Sequence, residues 1–387
     1  MKVLIVLTYY RPHTSGLTIY AERLAKGLVA RGHEVTVMTS HTHVPRSHPV
    51  EKMADGVRVI RVPVLFRVSK GVIMPTFGLW ATRLVLEHDV VCLHLPQFDA
   101  AGVAARGRLF SKPTTLTYHC DLKLPPGLFN RVVNQVVHVM NRLAGRLTDR
   151  VVAYTEDFAQ HSPYLQAFGD KIEVIPPPVE LPEVGKGAVA AFGKMHSLDR
   201  GGPVIGMAAR LAAEKGVEVL VNALPRVLET YPEARVLFAG QYRDVMGEEV
   251  YAQRLAPLFR KYEDRWTFLG VLRPVQMAAF YPNLDVIVVP SLNSTESFGL
   301  VQVEAMLCGT PSIASNLPGV RQPVEQTGMG EVVPIGDSEA LAGAIIRVVK
   351  NPEDYVRPRH EIEDRWSTDK TATQYEALFE RLLKRDA

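Results

Sequence analysis

The chain has 387 residues, 47% hydrophobic and 22% charged, with 28 Gly, 27 Pro and a net charge of +3. That is a globular composition, long enough for two domains of about 100–200 residues, and its apolar fraction excludes disorder. Three scattered cysteines (Cys92, Cys120, Cys308) exclude a disulfide scaffold, and no apolar run reaches the ~20 residues that span a bilayer.

Lys2–Leu7 reads as an apolar strand rather than a signal peptide, which together with the cysteine usage points to a cytoplasmic protein. A loop from Thr8 to Gly16 follows, then a helix with Leu17, Tyr20, Ala21, Leu24, Ala25 and Leu28 on one stripe. Gly32 ends that helix, and Glu34–Thr39 alternates into a second strand. Further strands are predicted at Val57–Val62, Val90–Leu93, Thr114–Tyr118, Val151–Tyr154 and Ile172–Ile175. Pro176, Pro177, Pro178 and Pro182, followed by the Gly/Ala-rich Gly185–Gly193, then break the pattern. Residues 1–180 are therefore read as a first domain and 181–202 as a linker.

A second βαβ opening begins at Val204–Ala208, with a loop Ala209–Gly216 and a helix burying Val217, Leu220, Val221, Leu224 and Val227. Pro225 within it predicts a kink or a new turn. Strands at Arg235–Ala239, Thr267–Leu269, Asp285–Val289 and Ser312–Ala314 complete a second domain over residues 203–365. A last helix near Thr371–Leu383 places Tyr375, Leu378, Phe379 and Leu382 at helical spacing. It suits either domain, and residues 366–387 are assigned to the first. Strands alternating with helices make parallel sheets covered on both faces. The fold class is α/β: two Rossmann-like domains with a cleft between them.

The densest chemical signal runs from Asp285 to Pro311. A helix is predicted from about Phe298 to Leu307, stopping at Gly309, directly after the loop Pro290–Ser297. Ligands of open parallel sheets bind at the carboxyl ends of strands, so the N–H groups of Phe298, Gly299 and Leu300 would face a phosphate or sugar hydroxyl. Glu296 precedes the helix. Glu304 falls on its apolar stripe with Leu300, Val303 and Leu307, so it either accepts hydroxyls such as those of a ribose, or pairs with an Arg, or sits exposed near the helix edge. Arg210 and Lys215 stand in the equivalent loop of the βαβ opening, where cations clamp a diphosphate or are simply solvated. In the first half, Ser15 and Gly16 open the first helix. His119 ends a strand and is followed by Asp121 and Lys123, whereas His94 reads as structural.

Absences narrow the chemistry. No GxGxxG or GxSxG occurs, and Ser40-His41-Thr42-His43 offers no acid for a nicotinamide ribose. There is no Asp-x-Asp, and His41, His43 and His48 lack companion ligands, so no metal site is expected.

The run Glu296-Ser297-Phe298-Gly299-Leu300 through Glu304, with Arg210, Lys215 and the Gly16 loop, resembles the retaining glycosyltransferases of the GT-B fold, family GT4, over essentially the whole chain. The resemblance implies transfer of a sugar from a nucleotide diphosphate donor (a UDP- or GDP-sugar) to an acceptor hydroxyl, without an obligatory metal or other cofactor and without a nucleic-acid partner. It places Glu304 on the nucleotide ribose and Arg210 and Lys215 on the departing diphosphate. It places Glu296 and the amides of Phe298, Gly299 and Leu300 on the donor sugar. Gly16 would approach the diphosphate from the other domain, and His119 would orient the sugar or stabilise charge. In that role His119 and Glu296 are the catalytic candidates. The family's paired glycines and following acid are here Thr14-Ser15-Gly16-Leu17-Thr18, a departure at that loop. A nucleotide-sugar epimerase and a non-catalytic sugar-binding protein are the alternative readings.

Charge is uneven: residues 1–202 carry 24 Lys and Arg against 16 Asp and Glu, and residues 203–387 carry 20 against 25. In this family the first domain takes the acceptor, a glycan or lipid-linked glycan. Phe129–Arg150 sets Arg131, His138, Arg142 and Arg146 along one helical face and Val132, Val136, Val139, Met140 and Leu143 elsewhere. Two expectations follow: loose docking on an anionic membrane, at its inner face, or an ordinary helix packed on the sheet.

Overall fold

The computed structural model describes residues 1–42, 51–68, 71–121, 128–198 and 201–384. His43, His48 and Lys123 lie outside them. The chain divides into two compact units, Met1–Pro178 with Trp366–Ala387, and Val179–Arg365.

Unit 1 carries strands β1 (Lys2–Val6), β2 (Glu34–Ser40), β3 (Glu51–Ala54), β4 (Val57–Val62), β5 (Phe66–Val68), β6 (Gly71–Ile73), β7 (Val90–Leu95), β8 (Thr114–Tyr118), β9 (Arg150–Ala153) and β10 (Ile172–Val174). Eight of them form one sheet in the order β10-β9-β8-β7-β1-β2-β4-β3, parallel except for β3 against β4, while β5 and β6 make a separate ribbon. Unit 2 carries β11 (Val204–Ala208), β12 (Arg235–Ala239), β13 (Trp266–Gly270), β14 (Val286–Val289), β15 (Ser312–Ser315) and β16 (Gly330–Val333), all parallel, in the order β13-β12-β11-β14-β15-β16. Helices between the strands cover both faces, which is why β1, β7 and β14 are near-continuous runs of buried residues. In each sheet the strand order reverses once, between β1 and β7 in unit 1 and between β11 and β14 in unit 2. Those are the two places where a doubly wound sheet opens a crevice at its carboxyl edge.

The helix Thr368–Leu383 belongs to unit 1 and packs on helix Gly16–Ala30. A Cβ on Gly27 would sit 2.9 Å from the Thr368 methyl, so the glycine sets how closely the two helices approach. Tyr375, fully buried, shares a 2.8 Å hydrogen bond with the Tyr20 hydroxyl and a 2.7 Å bond with Thr117 Oγ1 on β8. At the rim, Arg31 and His33 both bind the Glu376 carboxylate.

Two expectations are corrected. Residues 181–202 are not a plain linker: Lys186–Met195 is a helix within unit 2, with Phe192 buried against Phe280. Alanine is the best helix former, and one aromatic anchor is enough to dock a segment that composition alone presents as flexible. Pro225 starts no new element; Val217–Thr230 runs through it as one helix, its apolar side buried in the core of unit 2.

Replacing Tyr375 by Phe would leave the Tyr20 and Thr117 hydroxyls short of a partner in a dry core. The expected loss is about 1–3 kcal/mol. Thermal melting should show it as a fall of several degrees in Tm, at roughly 2–4 °C per kcal/mol for a unit of this size.

Candidate active site

In unit 2 the chemistry gathers at the strand-order reversal. The loop after β11 carries Arg210 and Lys215, and the loop after the adjacent β14 carries Glu296. Gly216 joins them. Its φ of +65° is left-handed, and a Cβ there would stand 2.0 Å from the Pro290 carbonyl oxygen, so only glycine lets the loops meet. The Leu292 amide donates to the Glu214 carbonyl at 2.9 Å and closes the seam. Across it Lys215 Nζ lies 2.5 Å from Glu296 Oε2, and Arg210 Nη2 lies 3.0 Å from Glu214 Oε1. Both expected cations thus sit in one loop, each held by an acid. Partly exposed pairs of this kind contribute about 0–1 kcal/mol, so either cation can exchange its acid for another anion at little cost.

The helix expected from Phe298 begins later, at Leu300, and ends at Met306. Gly299 adopts φ +78°, ψ +68° and cannot be helical there, so Phe298 and Gly299 form the turn that enters the helix. Phe298 is buried in that turn, and Leu300 is the first helical residue. Glu304 is buried, not exposed, and its Oε2 accepts a 2.7 Å hydrogen bond from the Tyr281 hydroxyl. A residue passed over by sequence reasoning shapes the turn: Gln302, fully buried, donates to the carbonyls of Phe298 and Val320 at 2.9 Å each and accepts from Ser312 Oγ. Gln302 lies on the other side of the helix from Leu300, Val303, Glu304 and Leu307, so the stripe that singled out Glu304 did not reach it.

In unit 1, Gly16 is the first residue of its helix, beside the reversal at β1 and β7. Ser15 caps the helix by accepting from the Thr18 amide, and Thr18 returns a bond to the Ser15 amide. A Cβ on Gly16 would meet nothing within 4 Å. His119 is buried and both its ring nitrogens are engaged: Nε2 lies 2.8 Å from His94 Nδ1, and Nδ1 bonds the Tyr154 hydroxyl. The Tyr20 ring meets it edge-on at 4.9 Å. The polar cluster expected with Asp121 does not form around His119. Asp121 instead accepts from Tyr118 and Ser162. The partner is His94, which the sequence presented as structural. The two histidines end adjacent parallel strands, and that placement was the signal. Burial pushes the His94 imidazole down to about 3, and burial followed by the neighbouring His94 holds His119 well below its ordinary value, so the pair is neutral. Among the described residues no group of three His, Cys, Asp or Glu side chains is placed to hold a metal.

Residues 15–178 match the family model described as glycosyl transferase 4-like domain, and residues 192–365 match glycosyl transferases group 1. The chain is 30% identical over 360 residues to a D-inositol 3-phosphate glycosyltransferase of Xylanimonas cellulosilytica, covering 85% of this chain and 82% of that protein. It belongs to the group 1 glycosyltransferases, family GT4. This GT4 enzyme is also 26% identical, over 98% of its length and 96% of the relative's, to a phosphatidyl-myo-inositol mannosyltransferase of Mycobacterium leprae. Among solved structures, Anabaena HepE in complex with UDP-glucose superposes with a TM-score of 0.75 at 20% identity, covering 98% of this chain and 99% of that one. Sucrose-phosphate synthase of Thermosynechococcus elongatus gives 0.75 at 21%, with 99% of each chain covered. The fold is GT-B.

Two measurements test this geometry. Gly216→Ala places a methyl on a backbone carbonyl and should lower Tm by several degrees, whereas Gly16→Ala, which faces open space, should leave Tm within about 1 °C. For the histidine pair, each imidazole of the unfolded chain titrates near 6.5 and takes up protons that the folded pair refuses. Stability is therefore full above about pH 6.5 and falls as pH drops toward 3. Between pH 6.5 and 5 the Tm of His94→Gln should fall less steeply than that of the parent, since one of the buried imidazoles that refuse a proton is gone while His119, His88 and His196 remain; equal slopes would remove the pair as a cause.

Proposed function

We propose that this glycosyltransferase moves a hexose from a nucleotide diphosphate sugar to the hydroxyl of a lipid-linked or glycan acceptor, with retention of anomeric configuration and without an obligatory metal. The observation that carries the reading is the seam between the β11 and β14 loops, where Lys215 meets Glu296 and Arg210 pairs with Glu214, just ahead of the helix that carries the buried Glu304. Cleaving a sugar–phosphate bond builds negative charge on the leaving diphosphate, and fixed cations stabilise it without reorganising. On this reading the diphosphate takes Arg210 and Lys215 from their acids. Glu296, released from Lys215, accepts the sugar hydroxyls, assisted by the amides of Phe298, Gly299 and Leu300. Glu304, oriented by Tyr281, accepts the ribose hydroxyls. Gly16 and His119 serve from unit 1, His119 as a neutral group that orients the sugar. HepE, with its bound UDP-glucose, supports a nucleotide-sugar donor, and the inositol-directed names of the relatives support a polyol or lipid-borne acceptor.

The helix Leu128–Leu147 favours the lipid-borne case. Val132, Val136, Val139 and Leu143 recur at i, i+4, i+7 and i+11 and point outward, each 41–57% exposed, with Arg131, Arg142 and Arg146 beside them. Its inward side is Met140, Ala144, Gly145 and Leu147, with Met140 and Leu147 packed on the core of unit 1 and Gly145 against the Tyr164 and Phe168 rings. The helix thus packs one apolar side on the protein, as expected, and turns a second apolar stripe outward. An outward apolar stripe flanked by guanidiniums suits the surface of an anionic membrane. No helix among the described residues is long and apolar enough to cross one. Anionic lipid is concentrated in the cytoplasmic leaflet, and the reading sets the enzyme at that face.

A panel of nucleotide sugars, scored by thermal shift and by slow donor hydrolysis, tests the assignment. Glu304→Ala should weaken nucleotide binding roughly 10- to 100-fold, the size of a lost charged hydrogen bond. Glu296→Ala should lower turnover by a similar factor while leaving binding of the bare nucleoside diphosphate nearly unchanged. Both variants matching the parent on the active donor would remove the site.

A further inference from the structure

We propose that the cavity at the carboxyl end of helix Leu128–Leu147 holds the phosphate headgroup of an anionic phospholipid, as an anchor separate from the acceptor. The proposal rests on the membrane contact described above and assigns its ligand.

The cavity has a volume of about 480 Å³ and is lined by Arg142, Arg146, Phe168, Asp170 and Lys171 among others. Its position separates it from the reaction edge of unit 1. Strand β8 ends toward His119, the helix returns over 20 residues, and β9 starts at Arg150. At 1.5 Å per residue the helix spans about 30 Å. The cavity therefore lies at the amino-terminal end of the sheet, about a helix length from the loops carrying Gly16 and His119. A headgroup bound there is no acceptor for a sugar delivered at the other edge.

Its electrostatics are built for an anion. Lys171 directs its three donors to the carbonyls of Gly145, Arg146 and Thr148, at 3.3, 2.8 and 2.7 Å, which offsets the negative end of the helix with a fixed charge. That leaves the forks of Arg142 and Arg146, both exposed, against the single acid Asp170 on the lining. Among the described residues no acid pairs with either guanidinium, nor with Arg131, whereas Arg11, Arg31, Arg58 and Arg83 of the same unit are all paired. Val139 and Leu143 continue the outward stripe to the mouth of the cavity, one turn from Arg142 and Arg146. Side chains that enter the acyl boundary thus adjoin side chains that match a phosphate bidentately. A planar guanidinium fork, unlike an ammonium, reads phosphate by geometry as well as by charge.

The charge-conserving variant decides the matter. The full chain is sedimented with vesicles of phosphatidylcholine alone and with vesicles containing phosphatidylglycerol at roughly two to one. The parent should bind only the anionic vesicles. Arg142→Lys with Arg146→Lys should lose about tenfold in partition although the net charge is unchanged, while Arg131→Lys on the same stripe should lose less than about twofold. Equal binding by all three proteins would mean diffuse attraction and overturn the site. A rise in Tm with inorganic phosphate alone as large as that with anionic vesicles would make it a soluble-phosphate site and equally overturn the proposal. Donor hydrolysis measured without vesicles should be the same in every variant. Its absence from all of them would defeat the transferase mechanism and leave the vesicle result standing.

Discussion

A single missing side chain governs the carboxyl edge of the unit 2 sheet where its strand order reverses. At Gly216 the backbone turns left-handed against the Pro290 carbonyl, at a separation no Cβ survives. The close approach exists because β11 and β14 are sheet neighbours although about eighty residues separate them in sequence. Gly240, at the end of β12, plays the same part on the other side, where a Cβ would lie 1.9 Å from the Ala209 carbonyl oxygen. The loop with Arg210 and Lys215 is therefore clamped between its two neighbours. On the proposed reading this matters, because cations already fixed where a bond breaks stabilise the developing charge without reorganising.

Much of this was legible in the sequence. Strands buried on both faces are short apolar runs, and the two βαβ openings separated the sheets. The stripe Leu300, Val303, Glu304, Leu307 singled out a carboxylate on an apolar face while leaving its exposure open, and it is buried. What the sequence withheld was the partner. Tyr281 lies 23 residues earlier, beyond any local pattern. The helix start was misplaced by two residues because periodicity does not reveal a left-handed glycine. The supposed linker became a helix because alanine-rich composition fits both a tether and a helix, and only Phe192 tips the balance.

The histidines and the basic helix show a second limit. A histidine alone on a strand is an uninformative residue, and its meaning came from the register that sets His94 beside His119. Periodicity in the helix Leu128–Leu147 separated its faces and left open which one turns to the protein. Both outcomes hold in part: Met140, Ala144 and Leu147 turn inward, Val132, Val136, Val139 and Leu143 turn outward, and at Gly145 the neighbouring Phe168 and Tyr164 rings leave no room for anything larger.

The hydroxyl chain from Thr117 through Tyr375 to Tyr20 has a consequence for biogenesis. Unit 2 is one uninterrupted stretch of polypeptide, whereas unit 1 is sealed by a helix that follows it. Most of Val179–Arg365 leaves the ribosome before the helix bearing Tyr375 does, so the second unit can begin to condense while the first still lacks its closing element. Until then the sheet of unit 1 must wait with a greasy flank uncovered, and a chaperone has a defined interval in which to shield it.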